Sequence, residues 1–559
     1  MATATTNQVL NILYNQLEGK QNLLTNLKSA YGDALGEYLY NTFAAQVAAW
    51  EQANGDVTYN PYTGVIYIGA NFTGLSASEP SKVDVGQLCK NARNTCHETW
   101  LNVFTTVSDA ISELDAQSVY TAEQLTLLAN VKAAINDAWE DWTNNWFTTV
   151  DATSYDASVN AIGKLTFVPA DGVTIKSNAG GSQISPTGAF EGAYTVYGGT
   201  GKDTFFYSKD SSEGHTSTVT LENWTSDDLL YLDNVSINGL AQVQGENVTL
   251  TLGNGNGSNT LILKGMAEKA IRVQHAINSK IYEVVYGSGE KGSHAVVGAN
   301  ETSFTLPELT GTDYNIGAPN IDATGNSQAG LKITGNAQDN EIWAGSGGNY
   351  IDAGHGSDTI HGGAGKDTYY QARTGYSADV LMDWGEDDLI QTGDCKIVSA
   401  VADSVTGGDV TLAFHHGNVD SSRPPTLTLK GMAGKVLHLQ KGDNTNNNTA
   451  YDVIYGGSGN KGNRAVVGSG ATSFTLPSQN YDDKSLSAPN IDATGNSKAG
   501  LKINGNEENN EIWAGSGGNY IDAGDGSDTI HGGAGKDTYY QTRTGYSADV
   551  LMNWGEDDL

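Results

Sequence analysis

Five aspartates close near-identical glycine-rich hexamers in this chain. They are Asp203 in GGTGKD (198–203), Asp358 in AGHGSD (353–358), Asp367 in GGAGKD (362–367), Asp528 in AGDGSD (523–528) and Asp537 in GGAGKD (532–537). Apolar centres beside the hexamers keep a period of nine: Ile333, Ile342, Ile351, Ile360 and Tyr369 form one series, and Ile503, Ile512, Ile521, Ile530 and Tyr539 a second. Carboxylates at a fixed spacing, each in a turn rich in bare backbone, offer the chemistry of cation binding.

The spacing says how the carboxylates meet. Three residues around each apolar centre make a short strand with one side chain pointing inward. The other six turn the chain, and their glycines permit positive φ and leave backbone carbonyls clustered. Two nonapeptides complete one coil, and coils stack at about 4.8 Å. The sixth position therefore stacks on the one eighteen residues away. Two carboxylates about 5 Å apart repel by roughly 3 kcal/mol at an effective dielectric near 20. A hard dication between the turns reverses that sign. Calcium suits the turns, because it takes six to eight carboxylate and carbonyl oxygens in flexible geometry, whereas magnesium demands a rigid octahedron.

The pattern resembles the RTX (repeats-in-toxin) family, whose hemolysin-type calcium-binding nonapeptide reads G-G-x-G-x-D-x-U-x. The resemblance covers 335–370 and 505–540, with 198–206 as a single turn. It implies a calcium-stabilised parallel β-roll. It places metal ligands at the sixth positions Asp203, Asp358, Asp367, Asp528 and Asp537, with Asn340, Asn349, Asn510 and Asn519 in the earlier repeats. Asparagine offers a carbonyl oxygen without the charge, so those halves are expected to bind more weakly. Backbone at Gly347, Gly354, Gly356, Gly363, Gly365, Gly517, Gly524, Gly526, Gly533 and Gly535 belongs to the same expected sites. The expected pairs are Asn340 with Asp358, Asn349 with Asp367, Asn510 with Asp528, and Asn519 with Asp537, or about two ions per unit. The family's closing motif is matched by DVLMDWGEDDLI (379–390), DVLMNWGEDDL (549–559) and VTLENWTSDDLL (219–230). These segments are expected to be cap strands, with Trp224, Trp384 and Trp554 over the open ends. Their aspartates are open to two readings, solvated surface or extra ligands.

These elements sit in a long-range repeat. Residues 320–370 recur as 490–540, a shift of 170 with six differences in 51 positions. Four sections follow: a mostly α-helical N-terminal domain (1–150), a first diverged unit (151–310), a second unit (311–480) and a third (481–559). The second unit divides into a β-roll over 320–370 and cap strands with a β segment over 377–480. In the first section, apolar spacing predicts helices over 35–50, 81–114 and 121–147, and VTYNPYTGVIYIGANFTG (57–74) reads as a β-hairpin. Trp139, Trp142 and Trp146 share one helical face and are expected in a core. The third copy stops inside its closing motif, which suggests a fragment of a longer array.

Composition narrows the function. With 64 acidic and 30 basic residues in 559, the formal net charge is −34, so nucleic acid and anionic membranes are unsuitable partners. Three cysteines exclude a disulfide scaffold. No run of about 18 apolar residues predicts a transmembrane helix, and the N-terminus lacks the features of a classical signal peptide. His97-Glu98 begins a zinc-protease pattern that fails at Leu101, and no G-x-S-x-G elbow occurs. His355 is Asp525 in the next copy, which favours a turn surface over a transition-metal ligand. No catalytic constellation is found. The resemblance implies export by type I secretion machinery, and hence an extracellular or cell-surface location. The expected function is a structural stalk, adhesin or surface-layer component that folds on calcium, with cell-surface contact or self-association. The alternative is a secreted enzyme or toxin that uses the array as its secretion and folding module.

Overall fold

One apolar residue in every nine can be buried only if successive strands stack in register. In the second unit Ile333 lies beside Ile351 and Ile351 beside Tyr369 in one parallel sheet. On the opposite sheet Ile342 lies beside Ile360. Each neighbour is eighteen residues on, so two nonapeptides make one coil, and all five side chains are at most 1% exposed. Burying such a side chain is worth about 1.5–3 kcal/mol. The structure, a computed structural model, describes residues 57–60, 65–69, 82–94, 148–154, 165–178, 180–187, 190–208, 216–253, 259–309, 314–371, 377–393, 395–403, 407–415, 424–441, 449–457, 461–479, 485–541 and 548–559, with 25, 28, 29, 33, 37, 98, 122 and 126.

The protein is mainly β, and the chain packs as two units. They are Met1–Tyr282 with Asp313–Gly317, and Glu283–Thr312 with Ala318–Leu559.

The larger-numbered unit holds both well-formed rolls. Before the second roll, Phe304 pairs beside Ile333 and Ile321 beside Ile342. After it, Ile360 pairs beside Leu381 and Tyr369 beside Ile390. These last coils are longer, at 21 residues. The closing motif is therefore a further coil of the same ladders and not the end of the roll. Ala378–Leu381 pairs parallel with Thr426–Leu429, and Leu389–Gly393 with Val436–Lys441. Antiparallel strands then carry the sheet through Thr449–Ile454 to Arg464–Val466, which pairs parallel with Asn490–Asp492 of the third roll. The two rolls are thus joined by continuous hydrogen-bonded sheet. The third roll repeats the register, with Ile503 beside Ile521 and Ile512 beside Ile530.

The other unit is also a parallel roll, with irregular coils. Ile175 lies beside Val196 and Val196 beside Leu221, and on the opposite sheet Ile184 lies beside Phe205 and Phe205 beside Leu230. The steps are 21 and then 25 residues. The expected hairpin is present as Val57–Asn60 against Val65–Ile68. Val65–Ile68 in turn pairs parallel with Thr149–Asp151, and Lys82–Asp84 with Leu165–Val168. Strands from the first 150 residues therefore extend the roll's own sheets. Of the predicted helices, 85–94 is helical, and it begins after the strand Lys82–Asp84 instead of at Ser81. The helices predicted over 35–50 and 121–147, and the tryptophan stripe, lie largely or wholly outside the described residues.

The turns tolerate little side chain. Gly356 has φ +113°, and a Cβ there would collide with the Gln338 carbonyl oxygen of the coil beneath. Gly356→Ala is therefore expected to destabilise the second roll by well over the roughly 1 kcal/mol of the backbone effect alone. Thermal melts in calcium, with Gly265→Ala as a strained but open reference (φ +68°, no atom within 4 Å), check this.

Candidate metal centre

Each nonapeptide turn delivers its sixth residue to one edge of the roll, and the stacking places these residues one above another. Asp358, Asp367, Asp528 and Asp537 are at most 1% exposed. The Asn340 backbone N–H donates to Asp358 Oδ1 at 2.8 Å, and Asn349 N–H to Asp367 Oδ1 at 2.7 Å. In the third roll Asn510 donates to Asp528 and Asn519 to Asp537, each at 2.7 Å. All four expected pairs are brought together.

The second oxygen of each aspartate is different. Oδ2 of Asp358, Asp367, Asp528 and Asp537 is buried and has no hydrogen-bond partner among the described residues. A desolvated carboxylate oxygen with nothing to accept from is costly unless a cation meets it. Burial accordingly pushes the Asp358 carboxyl up to about 8, opposed by the Asn340 N–H and helped by the charge of Asp379. Burial pushes Asp367 and Asp528 up to about 6. Asp537 is raised for the same reason.

The two edges are not equivalent. Asn349 Oδ1 is also buried without a partner, as is Asn519 Oδ1, so that edge offers two oxygens per coil pair. Asn340 Oδ1 instead accepts from Asn336 N–H at 2.9 Å, and its amide donates to Pro319 O and Asn336 Oδ1. Asn510 does the same with Asn506 and Pro489. The expected ligand oxygens of Asn340 and Asn510 are thus already engaged in bracing the turn. Among the described residues no three His, Cys, Asp or Glu side chains converge, so turn carbonyls must complete any ligand sphere. Carbonyl oxygens of Ala344 and Gly345 lie near Gly363, and that of Lys366 near Gly348. This oxygen-only donor set fits calcium. His355 is exposed on its turn.

Asp203 departs from expectation. It is 1% exposed, but Oδ1 accepts from Ser182 N–H at 2.7 Å and Ser177 Oγ at 3.3 Å, and Oδ2 from Gly199 N–H at 2.7 Å. Its neighbour across the coil is a serine, and both oxygens are engaged by protein donors.

The closing-motif aspartates match neither open reading. Asp379 and Asp388 are buried, and each continues a ladder. Asp379 Oδ1 accepts from Asp358 N–H at 3.1 Å and Oδ2 from the Tyr369 hydroxyl at 2.7 Å. Asp388 Oδ1 accepts from Asp367 N–H at 2.8 Å and Oδ2 from Gly385 N–H at 2.6 Å. Asp228 holds Asp203 N–H and Thr225 N–H in the same way, each at 2.7 Å. With every oxygen engaged, these residues terminate the ladders. A 21-residue step breaks the nonapeptide period, so spacing alone does not reveal them. Trp384 is 5% exposed and packs over Gly362 and edge-on to Tyr369, while Trp554 is half-buried.

A family model, the RTX calcium-binding nonapeptide repeat (4 copies), matches residues 334–369 and 504–539. Those two segments are RTX calcium-binding nonapeptide repeats. RTX nonapeptide repeats bind calcium, and the matched segments contain the four aspartates whose second oxygens are unpartnered. No curated protein and no solved structure matches the chain. No helix among the described residues is long and apolar enough to cross a membrane.

Two outcomes follow from this geometry. Asp358→Ala combined with Asp367→Ala is expected to lower the calcium stoichiometry of the full chain from about four ions to about two, with the third roll unaffected; calorimetric titration at roughly 10⁻⁴ to 10⁻³ M calcium checks it. Lys366→Ala, on the exposed turn surface, should leave the count unchanged. The second outcome concerns pH. Without metal, folding raises the Asp358 and Asp367 carboxyls above their unfolded range near 4. The folded roll then holds protons that the unfolded chain does not. Its metal-free stability is fully present below about pH 4 and falls as pH rises through about 6 and 8. Bound calcium removes that loss by replacing the protons, so calcium uptake at pH 6–7 should release protons. Melts across pH in chelator and in calcium, and titration heats in buffers of different ionisation enthalpy, measure both.

Proposed function

We propose that this protein with RTX repeats is an extracellular structural component, a stalk, adhesin or surface-layer element, that folds on calcium after export by type I secretion machinery. The observation that carries the reading is the set of four buried aspartate oxygens without partners. At low calcium these carboxylates oppose closure of the coils. At roughly 10⁻⁴ to 10⁻³ M calcium, the range of extracellular modules, ions offset that cost and the coils close. A chain that stays open inside the cell and closes outside is suited to passage through an export channel.

The structural role is supported by the joining of the second and third rolls. Among the described residues, the strands Val436–Lys441, Thr449–Ile454 and Arg464–Val466 connect them by backbone pairing. Tandem arrays in which each repeat contacts its neighbours extend readily, as stalks and coats require. The reading includes no catalytic step. Self-association or attachment at a cell surface would follow from such an array, and the high negative charge favours partners bridged by divalent cations.

Hydrogen exchange on the full chain tests the folding step. Segments 334–369 and 504–539 are expected to exchange freely in chelator at neutral pH and to become protected in millimolar calcium. Equal protection in both conditions would overturn the reading.

A further inference from the structure

We infer that Tyr369 and Asp379 couple the two calcium edges of the second roll, so that its ions bind together and not independently. This rests on the reading of Asp358 and Asp367 as calcium ligands. Tyr369 occupies the inward position that isoleucine fills in the four preceding repeats, two residues after Asp367 on one edge. It is 1% exposed, and its ring is satisfied by the core. Its hydroxyl reaches Asp379 Oδ2 at 2.7 Å on the other side of the coil. Asp379, 3% exposed, uses Oδ1 to hold the backbone N–H of Asp358 at 3.1 Å. The order is thus Asp367, Thr368, Tyr369 with its hydroxyl, Asp379, and the amide of Asp358. Ordering the Asp367 turn seats Tyr369, and a seated Tyr369 fixes the group that holds Asp358.

The same chain supplies the comparison. In the third roll the arrangement recurs, with the Tyr539 hydroxyl on Asp549 and Asp549 holding Asp528 N–H at 3.1 Å. In the diverged first copy both partners are replaced together. Counting from Asp203, Tyr369 corresponds to Phe205; counting back from the shared tryptophan, Asp379 corresponds to Val219. Both are fully buried. That copy is the one whose sixth-position aspartate has both oxygens engaged by protein donors. The tyrosine–aspartate pair accompanies the open carboxylate oxygens and is absent where they are closed.

The experiment is a calcium titration of the full chain, read by hydrogen exchange at segment resolution. Segment 353–361 reports the Asp358 edge and carries His355, which distinguishes it from the third roll; segment 362–372 reports the Asp367 edge and carries Ala372, where the third roll has Thr542. In the unaltered chain the two segments gain protection at one calcium midpoint. Tyr369→Phe keeps the ring and removes the hydrogen bond. It should separate the midpoints, moving 353–361 to roughly tenfold higher calcium and 362–372 much less, with the third roll unmoved. Asp379→Asn, which retains an oxygen for Asp358 N–H and an amide for the hydroxyl, should keep the midpoints together. Coincident midpoints in Tyr369→Phe overturn the coupling. So does loss of protection in both segments at saturating calcium, which would assign the tyrosine to the core alone. If the unaltered chain gains no protection with calcium, the ligand reading itself falls.

Discussion

A desolvated carboxylate stacked on the coil below it is the constraint around which the rolls are organised. Asp358, Asp367, Asp528 and Asp537 each spend one oxygen on the backbone N–H of the preceding coil and leave the other buried without a donor. It arises in a parallel coil built of two nonapeptides. Its turns stack in register, so the sixth residue meets the same position eighteen residues away. Protonation or a cation can resolve the conflict, and an oxygen-lined turn favours the cation once calcium is available.

The remaining polar groups limit where that conflict occurs. Asn340 and Asn510 brace the turn before the first edge, so the free side-chain oxygen there is the aspartate's alone. Asp379 and Asp388 end the ladders by engaging both of their oxygens. The first copy shows the alternative solution, in which Ser182, Ser177 and Gly199 supply the donors and Asp203 becomes a structural residue. One motif therefore serves two purposes, decided by what stacks against it.

The sheets between the rolls carry the same logic to a longer scale. The closing motif resembles a lid because its tryptophan covers the preceding turn. Yet its strands keep both edges open to pairing, and Thr426–Leu429 and Val436–Lys441 take them up. An apolar strand edge left unpaired would invite association with other chains. On one sheet, continuation through Val436–Lys441 into the next roll removes that edge and connects the rolls, while the other sheet ends at Lys396–Ala402.

The period of nine, read from the sequence alone, determined the parallel coil, the inward isoleucines and the partners of all four aspartates, because every coil of equal length repeats the same local geometry. The glycines were legible for the same reason, since the turn conformation is set within six residues. The 21-residue coils were not, nor the continuation of the sheet past Trp384, because a change in loop length alters which residues stack without altering the motif on either side. The engagement of Asp203, the bracing role of Asn340 and the bond from Tyr369 to Asp379 depend on donors brought in from neighbouring coils or from across one. Only the folded coil, which sets those donors within hydrogen-bond distance, decides which aspartate oxygens remain for calcium.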